Sequence, residues 1–431
     1  MDNAPMKDRL LALYRTAVAT AHPGVCLPTH LPDCPDDGRI IVIGAGKANA
    51  AMAVTAEAYY AARASINGFG GFVTTRHGFK LPTSQIEIIE AAHPVPDQNS
   101  VDGAARAIAA AKGASAKDLV LVLLSGGASA LWCQPVEGVT FAAKQALTKQ
   151  LLRAGAPIGE MNIVRKHLSQ IKGGKLAASA YPARLLTLAI SDVPGDEPTS
   201  IGSGPTVADP TTLADARAVL ERWGITPPAE IAAALADPAN ETIKPDDPRL
   251  AYSDFKIIAA PGASLEAAAS QARALGYEID FLGDSLEGEA REAGAKHAAL
   301  ALDAKQRGRR AAILSGGEFT VTISGNGRGG PNQEYALALA IGLDSAAGIC
   351  ALAADTDGID GGSGKADDPA GAFVLQDTIH RALSQNLNPA TFLANNDSSG
   401  FFGAIDDLVH VGPTQTNVND FRIILVDPSA A

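Results

Sequence analysis

Two cations stand where they can meet an anion. Lys47 closes the run Gly44-Ala45-Gly46-Lys47, directly after an apolar stretch and at the start of an Ala-rich segment. A helix start offers unpaired N–H groups and the positive end of the macrodipole, and an ammonium adds a full charge there. The run is neither common nucleotide fingerprint. Asn49 stands where GxGxxG needs its third glycine, and Ala48 follows the lysine where a Walker A loop needs Ser or Thr. Arg328 lies among glycines in Gly325-Asn326-Gly327-Arg328-Gly329-Gly330-Pro331-Asn332. Such an arginine is poorly suited to packing and well suited to reaching over a ligand. Its planar fork recognises carboxylate or phosphate at two points.

Glycine turns and carboxylates complete the set. Ser125-Gly126-Gly127 and Ser315-Gly316-Gly317 each follow an apolar run, one in each half of the chain. Both let backbone N–H groups approach an anion closely, and both also suit a plain strand-to-helix turn. Asp192 opens SDVPGD after one apolar run, and Asp355 and Asp357 open DTDGIDGG after another. A carboxylate at a strand tip can hold Mg²⁺, accept a proton or shape a turn. The second loop is no EF-hand, because Gly358 comes too early and Ala366 replaces the bidentate glutamate. Cations that neutralise oxygens and carboxylates that hold Mg²⁺ are the parts needed to move a phosphoryl group.

Other stretches carry less. Met161–Leu176 reads as a helix ending at Gly173-Gly174, with Asn162, Arg165, Ser169 and Lys172 on one face. A basic face of this kind is as often merely solvated, and His167 reads as structural. His22, Cys26, His30 and Cys34 recur every fourth residue, but Pro23, Pro28, Pro32 and Pro35 break any helix that would align them. Gly362-Ser363-Gly364-Lys365 is a Walker-like decoy, followed by Asp-Asp-Pro instead of a phosphate-binding helix.

These residues need strands to hold them. Apolar runs at 39–43, 118–124, 185–190, 255–260, 311–314 and 348–354 each end in a glycine-rich or acidic loop. Strand, loop and Ala-rich helix in alternation predict an α/β fold with parallel sheets, and its ligands gather at the carboxyl ends of the strands. At 431 residues the chain is expected to form two or three domains. A Pro- and Asp-rich connector between Thr206 and Lys256 places the break, giving domains at 1–245 and 250–431. The net charge of −12 disfavours nucleic acid and anionic membrane as partners. No apolar run is long enough for a membrane span, no signal peptide is expected, and the four cysteines form no CxxC pair. A reducing cytoplasm is the expected location.

The runs VIGAGKANAAM, HPVPD, LLSGGASAL, NIVRKHLSQIKGGKLA, AISDVPGDEPTSIGSGPT, LSGGE, GRGGPNQEYAL, AADTDGIDG and TNVNDF together resemble the glycerate 2-kinase family. Its C-terminal domain is called MOFRL, and its members often carry the label hydroxypyruvate reductase. The resemblance covers nearly the whole chain, least well at Pro23–Pro35 and at 206–256. It implies a Rossmann-like N-terminal domain, a smaller α/β C-terminal domain and an active site in the cleft between them. It implies phosphorylation of D-glycerate at the 2-hydroxyl, with ATP and Mg²⁺. The family's catalytic lysine and arginine fall on Lys47 and Arg328, the two cations already singled out.

Loop placement supplies the other expected roles. Gly44, Gly46, Ser125–Gly127, Ser315–Gly317 and Asn332 face the nucleotide. Asp192, Asp355 and Asp357 hold Mg²⁺, and Asp192 also takes the hydroxyl proton. A homodimer is the expected assembly. Two other classes compete: an NAD(P)H-dependent hydroxypyruvate reductase, for which Asn49 spoils the only dinucleotide loop, and a non-catalytic ligand-binding protein on the same scaffold.

Overall fold

The computed structural model describes residues 3–63, 68–362 and 365–428. Ser363 and Gly364 of the Walker-like decoy fall outside them. The chain divides into two units, one comprising Cys26–Ile258 and the other Met1–Val25 with Ala259–Ala431.

The Cys26–Ile258 unit is built on a six-stranded sheet. Its strands are β1 (Ile40–Ala45), β2 (Phe69–Arg76), β3 (Ile86–Ala91), β4 (Leu119–Leu124), β5 (Arg184–Ile190) and β6 (Ser253–Ala259), in the order β3-β2-β1-β4-β5-β6. The pairings of β1 with β2 and β4, of β2 with β3 and of β4 with β5 are parallel. Every residue of β4 is buried, as expected for a central parallel strand covered on both faces. The crossover helix Gln98–Lys112 starts at a capping box between Asp97 and Ser100. It buries Ala104, Ala107, Ile108 and Ala111, a helical stripe that packs with β1 and β4 residues in one core. The sheet grows outward from β1 in one direction and from β4 in the other. The crevice outside the carboxyl ends of β1 and β4 is therefore the topological switch point, where such sheets bind ligands.

The other unit holds a mixed sheet. Its strands are β7 (Glu278–Glu289), β8 (Ala311–Thr320), β9 (Ile349–Asp355), β10 (Gly371–Val374), β11 (Leu408–Val409) and β12 (Asp420–Val426), in the order β11-β10-β9-β12-β8-β7. The β7–β8 pairing is parallel, while β12 runs antiparallel to both neighbours and β10 to both of its own. The helix Pro331–Leu343 is buried on nearly every face, between the helix Ala290–Gln306 and the sheet. The helix Ala4–Ala21 closes the opposite side, with Leu10, Leu13, Tyr14 and Ala17 packed among Leu265, Leu314, Leu352 and Phe421.

Four sequence expectations differ from this arrangement. The N-terminal helix lies outside the expected 1–245 domain, because its apolar stripe is buried in the second unit. The run at 255–260 does not open the second unit: β6 extends the first sheet, with Leu185 N–H donating to the Tyr252 carbonyl at 2.8 Å. The second sheet is mixed, because β12 returns between β9 and β8. The helix from Ile158 stops at His167, and a new one runs from Lys175 to Ala180. Gly173 and Gly174, at φ +59° and +78°, turn the chain between them.

One buried histidine makes stability depend on pH. His297 Nδ1 lies 2.9 Å from the Tyr335 hydroxyl. Burial, helped by Arg422 and Lys296, lowers its pKa from 6.5 to about 4. Between those values the unfolded chain binds a proton that the folded chain does not. Stability therefore falls as pH drops from 6.5 towards 4. Thermal melting across that window should show a declining Tm, with a shallower decline in His297→Asn.

Candidate active site

The first unit gathers three loops at the switch point. Lys47 N–H donates to the Gly126 carbonyl at 2.9 Å, and Gly46 N–H to the Thr74 carbonyl at 3.1 Å. The Ser125 hydroxyl accepts from Ala48 N–H at 3.0 Å and donates to Asn49 Oδ1 at 2.8 Å. Asn49 Nδ2 donates to the Leu123 carbonyl at 2.8 Å. Each such buried bond is worth about 1 kcal/mol net and costs more if left half-made. The β1 and β4 loops thus lock to each other through Asn49 and Ser125. A Cβ on Gly46, at φ +146°, would lie 2.0 Å from Ser125 Oγ, so only glycine fits. Gly127, at φ +83°, would place a Cβ 3.0 Å from His93 Cδ2 and 3.5 Å from Lys47 Cγ. Gly44, Gly46, Lys47 and Ser125–Gly127 therefore form one constellation, with His93 brought in from the loop after β3. Asp192 follows β5 on the same sheet edge, one strand beyond Ser125.

A second polar chain extends from that edge. Lys172 Nζ donates to the Ser129 carbonyl at 2.7 Å and lies 2.9 Å from Ser129 Oγ. Ser129 Oγ is 2.8 Å from Ser203 Oγ, which donates to Asn162 Oδ1 at 3.5 Å. Lys172 is 2% exposed. Burial, reinforced by the charges of Lys144, Arg165 and Lys166, pushes its pKa well below the ordinary lysine value. Burial likewise lowers Lys175 to about 8. The expected helical face shared by Asn162 and Lys172 does not form, because the helix ends at His167; the two are linked instead through Ser129 and Ser203. Ser129 and Ser203 were missed, because nothing in their spacing tells that two distant loops place their hydroxyls together.

In the second unit Arg328 is exposed on the loop before the helix Pro331–Leu343. Its N–H donates to Asp397 Oδ1 at 3.1 Å and its carbonyl accepts from Ser399 N–H at 2.9 Å. The flanking glycines serve close packing. A Cβ on Gly325, Gly327 or Gly329 would lie 2.3, 2.3 and 2.0 Å from Asn395, Asp397 and Ser398. The loop backbone is thus pressed against 395–398 while the guanidinium projects outward.

Below it lies a cluster of acids. Asp357 N–H donates to Asp355 Oδ1, and Ile359 N–H to Asp357 Oδ1, both at 2.8 Å. Asn332 is buried, with Nδ2 donating to Asp420 Oδ1 at 2.6 Å and to Asp360 Oδ1 at 3.2 Å. Its amide nitrogen is thus spent inside the protein. Burial, added to the charge of Asp420, pushes Asp360 up to about 7 against the N–H donors of Asn332 and Gln333. Among the described residues no group of three His, Cys, Asp or Glu is assembled for a metal ion. Mg²⁺ needs fewer, since it takes one or two carboxylates beside water and phosphate oxygens. Asp355 and Asp357, each with one oxygen held by a backbone N–H, fit that donor set.

Ser315-Gly316-Gly317 is a correction. These residues lie inside β8 and form no loop after a strand. Arg422 holds the Gly316 and Gly317 carbonyls at 2.9 and 3.2 Å, its guanidinium pairs with Asp420, and it sits 3.8 Å over the Phe319 ring. Gly317, at φ +90°, would bring a Cβ within 2.2 Å of Leu286 N. The repeated Ser-Gly-Gly has two different causes: a turn at the carboxyl end of β4 in the first unit, and a close strand crossing in the second.

The domain of unknown function DUF4147 matches residues 9–236, and the MOFRL family matches residues 311–420. D-glycerate 2-kinase of Thermotoga maritima is 36% identical over 99% of this chain and 99% of its own. The chain belongs to the glycerate 2-kinase family. A glycerate kinase crystal structure from Thermotoga maritima superposes on this family member with a TM-score of 0.86 at 36% identity. The match covers 98% of this chain and 100% of that one. An Agrobacterium vitis protein provisionally named hydroxypyruvate reductase is 48% identical over 97% of this chain and 94% of its own. Both kinds of name thus attach to relatives of this glycerate 2-kinase family member. No helix among its described residues is long and apolar enough to cross a membrane.

Proposed function

We propose that this protein transfers the γ-phosphoryl group of ATP to the 2-hydroxyl of D-glycerate, giving 2-phosphoglycerate and ADP. The observation that carries the reading is the placement of Lys47 beside the Ser125–Gly127 turn at the switch point of a parallel sheet. A relative named D-glycerate 2-kinase, aligned over almost the full chain, supports it.

In this reading the Lys47 ammonium and the N–H groups of the turn neutralise phosphate oxygens as negative charge shifts during transfer. The exposed Arg328 guanidinium neutralises charge on the transferring group. Asp355 and Asp357 would hold Mg²⁺, which would supply positive charge to offset that of the phosphate oxygens. Asp192 takes the proton from the substrate hydroxyl. The name of the 48% identical relative favours the rival reading, an NAD(P)H-dependent reductase. Against it stands Asn49, whose side chain is tied between Leu123 and Ser125 where a dinucleotide loop needs a third glycine.

A pair of coupled assays separates the two. ADP release should depend on D-glycerate and Mg²⁺, while hydroxypyruvate should cause no loss of NADH or NADPH absorbance. Loss of nicotinamide absorbance without glycerate-dependent ADP release would reverse the assignment.

A further inference from the structure

One part of the first unit gathers several cations with few carboxylates beside them. Lys144, Arg165 and Lys172 all lie within electrostatic reach of Cys133. Lys144 and Lys172 are 5% and 2% exposed, and their ammonium groups donate to the Leu168 carbonyl and to Ser129. Lys166 alone in this group pairs with a carboxylate, that of Asp209 at 3.2 Å. Arg165 is half-buried, and its guanidinium makes no hydrogen bond or ion pair with any described residue. A lysine can shed its proton under these conditions, but a guanidinium stays charged. An unpaired arginine among buried lysines costs free energy unless an anion joins it.

The surroundings say what kind of anion. Asn162 and Arg165 are three residues apart on the helix Ile158–His167, so they share a face. Asn162 Oδ1 accepts from Ser203, which leads through Ser129 to Lys172. Guanidinium, amide, hydroxyls and ammonium thus line one path beside the Ser125–Gly127 turn. That set matches a small carboxylate bearing neighbouring hydroxyls, held at two points by arginine.

We infer that Arg165, Asn162 and the Lys172–Ser129–Ser203 chain form an anion subsite that takes the carboxylate of the hydroxy-acid substrate. The identity of that carboxylate rests on the proposed kinase activity; the existence of the subsite does not.

Calorimetric titration of the full chain tests this, with D-glycerate, D-lactate and inorganic phosphate as separate probes. Arg165→Gln should weaken D-glycerate and D-lactate at least tenfold and leave phosphate within twofold, and Arg165→Lys should restore part of the loss. Phosphate weakened with both carboxylates unchanged, or no probe affected, would overturn the assignment. Should Arg165→Gln misfold, Asn162→Ala decides in its place. It should weaken D-glycerate and D-lactate and leave phosphate within twofold, and unchanged carboxylate binding overturns the subsite. A wild-type protein that binds D-lactate through Arg165 yet phosphorylates no glycerate would sink the kinase reading and leave the subsite standing.

Discussion

Lys47→Ala should lower kcat/KM for phosphate transfer to D-glycerate by at least about 10²-fold, the scale of one lost charge-stabilising contact in a transition state. The fold should survive. The β1 loop is shaped by its main chain, through Lys47 N–H to Gly126 and Ala48 N–H to Ser125. The packing beneath it comes from Asn49 and the glycines, none of which the substitution touches. The Tm should therefore stay within a few degrees of wild type. The loss should appear mainly in kcat, because the ammonium acts on charge that shifts as the phosphoryl group moves. Steady-state kinetics beside a melting curve check both parts. Near-normal activity would remove Lys47 from the site.

Arg328→Ala should cost a similar factor, at least about 10² in kcat/KM. Its main chain is fixed by Asp397 and Ser399, and the adjacent glycines meet 395–398 whatever side chain stands at 328. Alanine deletes the guanidinium and little else. Arg328→Lys is the informative companion. It keeps the charge but loses the planar fork, so it should recover only part of the lost rate. Full recovery by lysine would mean that charge alone matters there.

The parallel sheet of the first unit was legible because buried parallel strands are written as short apolar runs followed by loops. Leu119–Leu124 is the plainest case. Lys47 and Ser125–Gly127 were legible for the same reason, since a strand's carboxyl end fixes where its loop must lie. The mixed sheet was not legible: direction depends on connections, and nothing in the apolar run Asp420–Val426 marks it as the strand that enters between β9 and β8. Ser315–Gly317 misled because glycine that admits a neighbouring strand looks like glycine that admits a ligand. The helix Ala4–Ala21 carries an apolar stripe, but nothing in the stripe says which core it covers. Asn332 carried a polar amide in a glycine-rich stretch, and only the positions of Asp360 and Asp420 reveal that its nitrogen is already engaged.

The most direct test is proton-coupled ³¹P NMR of the product formed from ATP, Mg²⁺ and D-glycerate. Transfer to the 2-hydroxyl places phosphorus beside a single methine proton, so a new phosphomonoester doublet is expected. A triplet, from phosphorus beside a methylene, would assign the 3-hydroxyl. No glycerate-dependent phosphomonoester at all would contradict the kinase account.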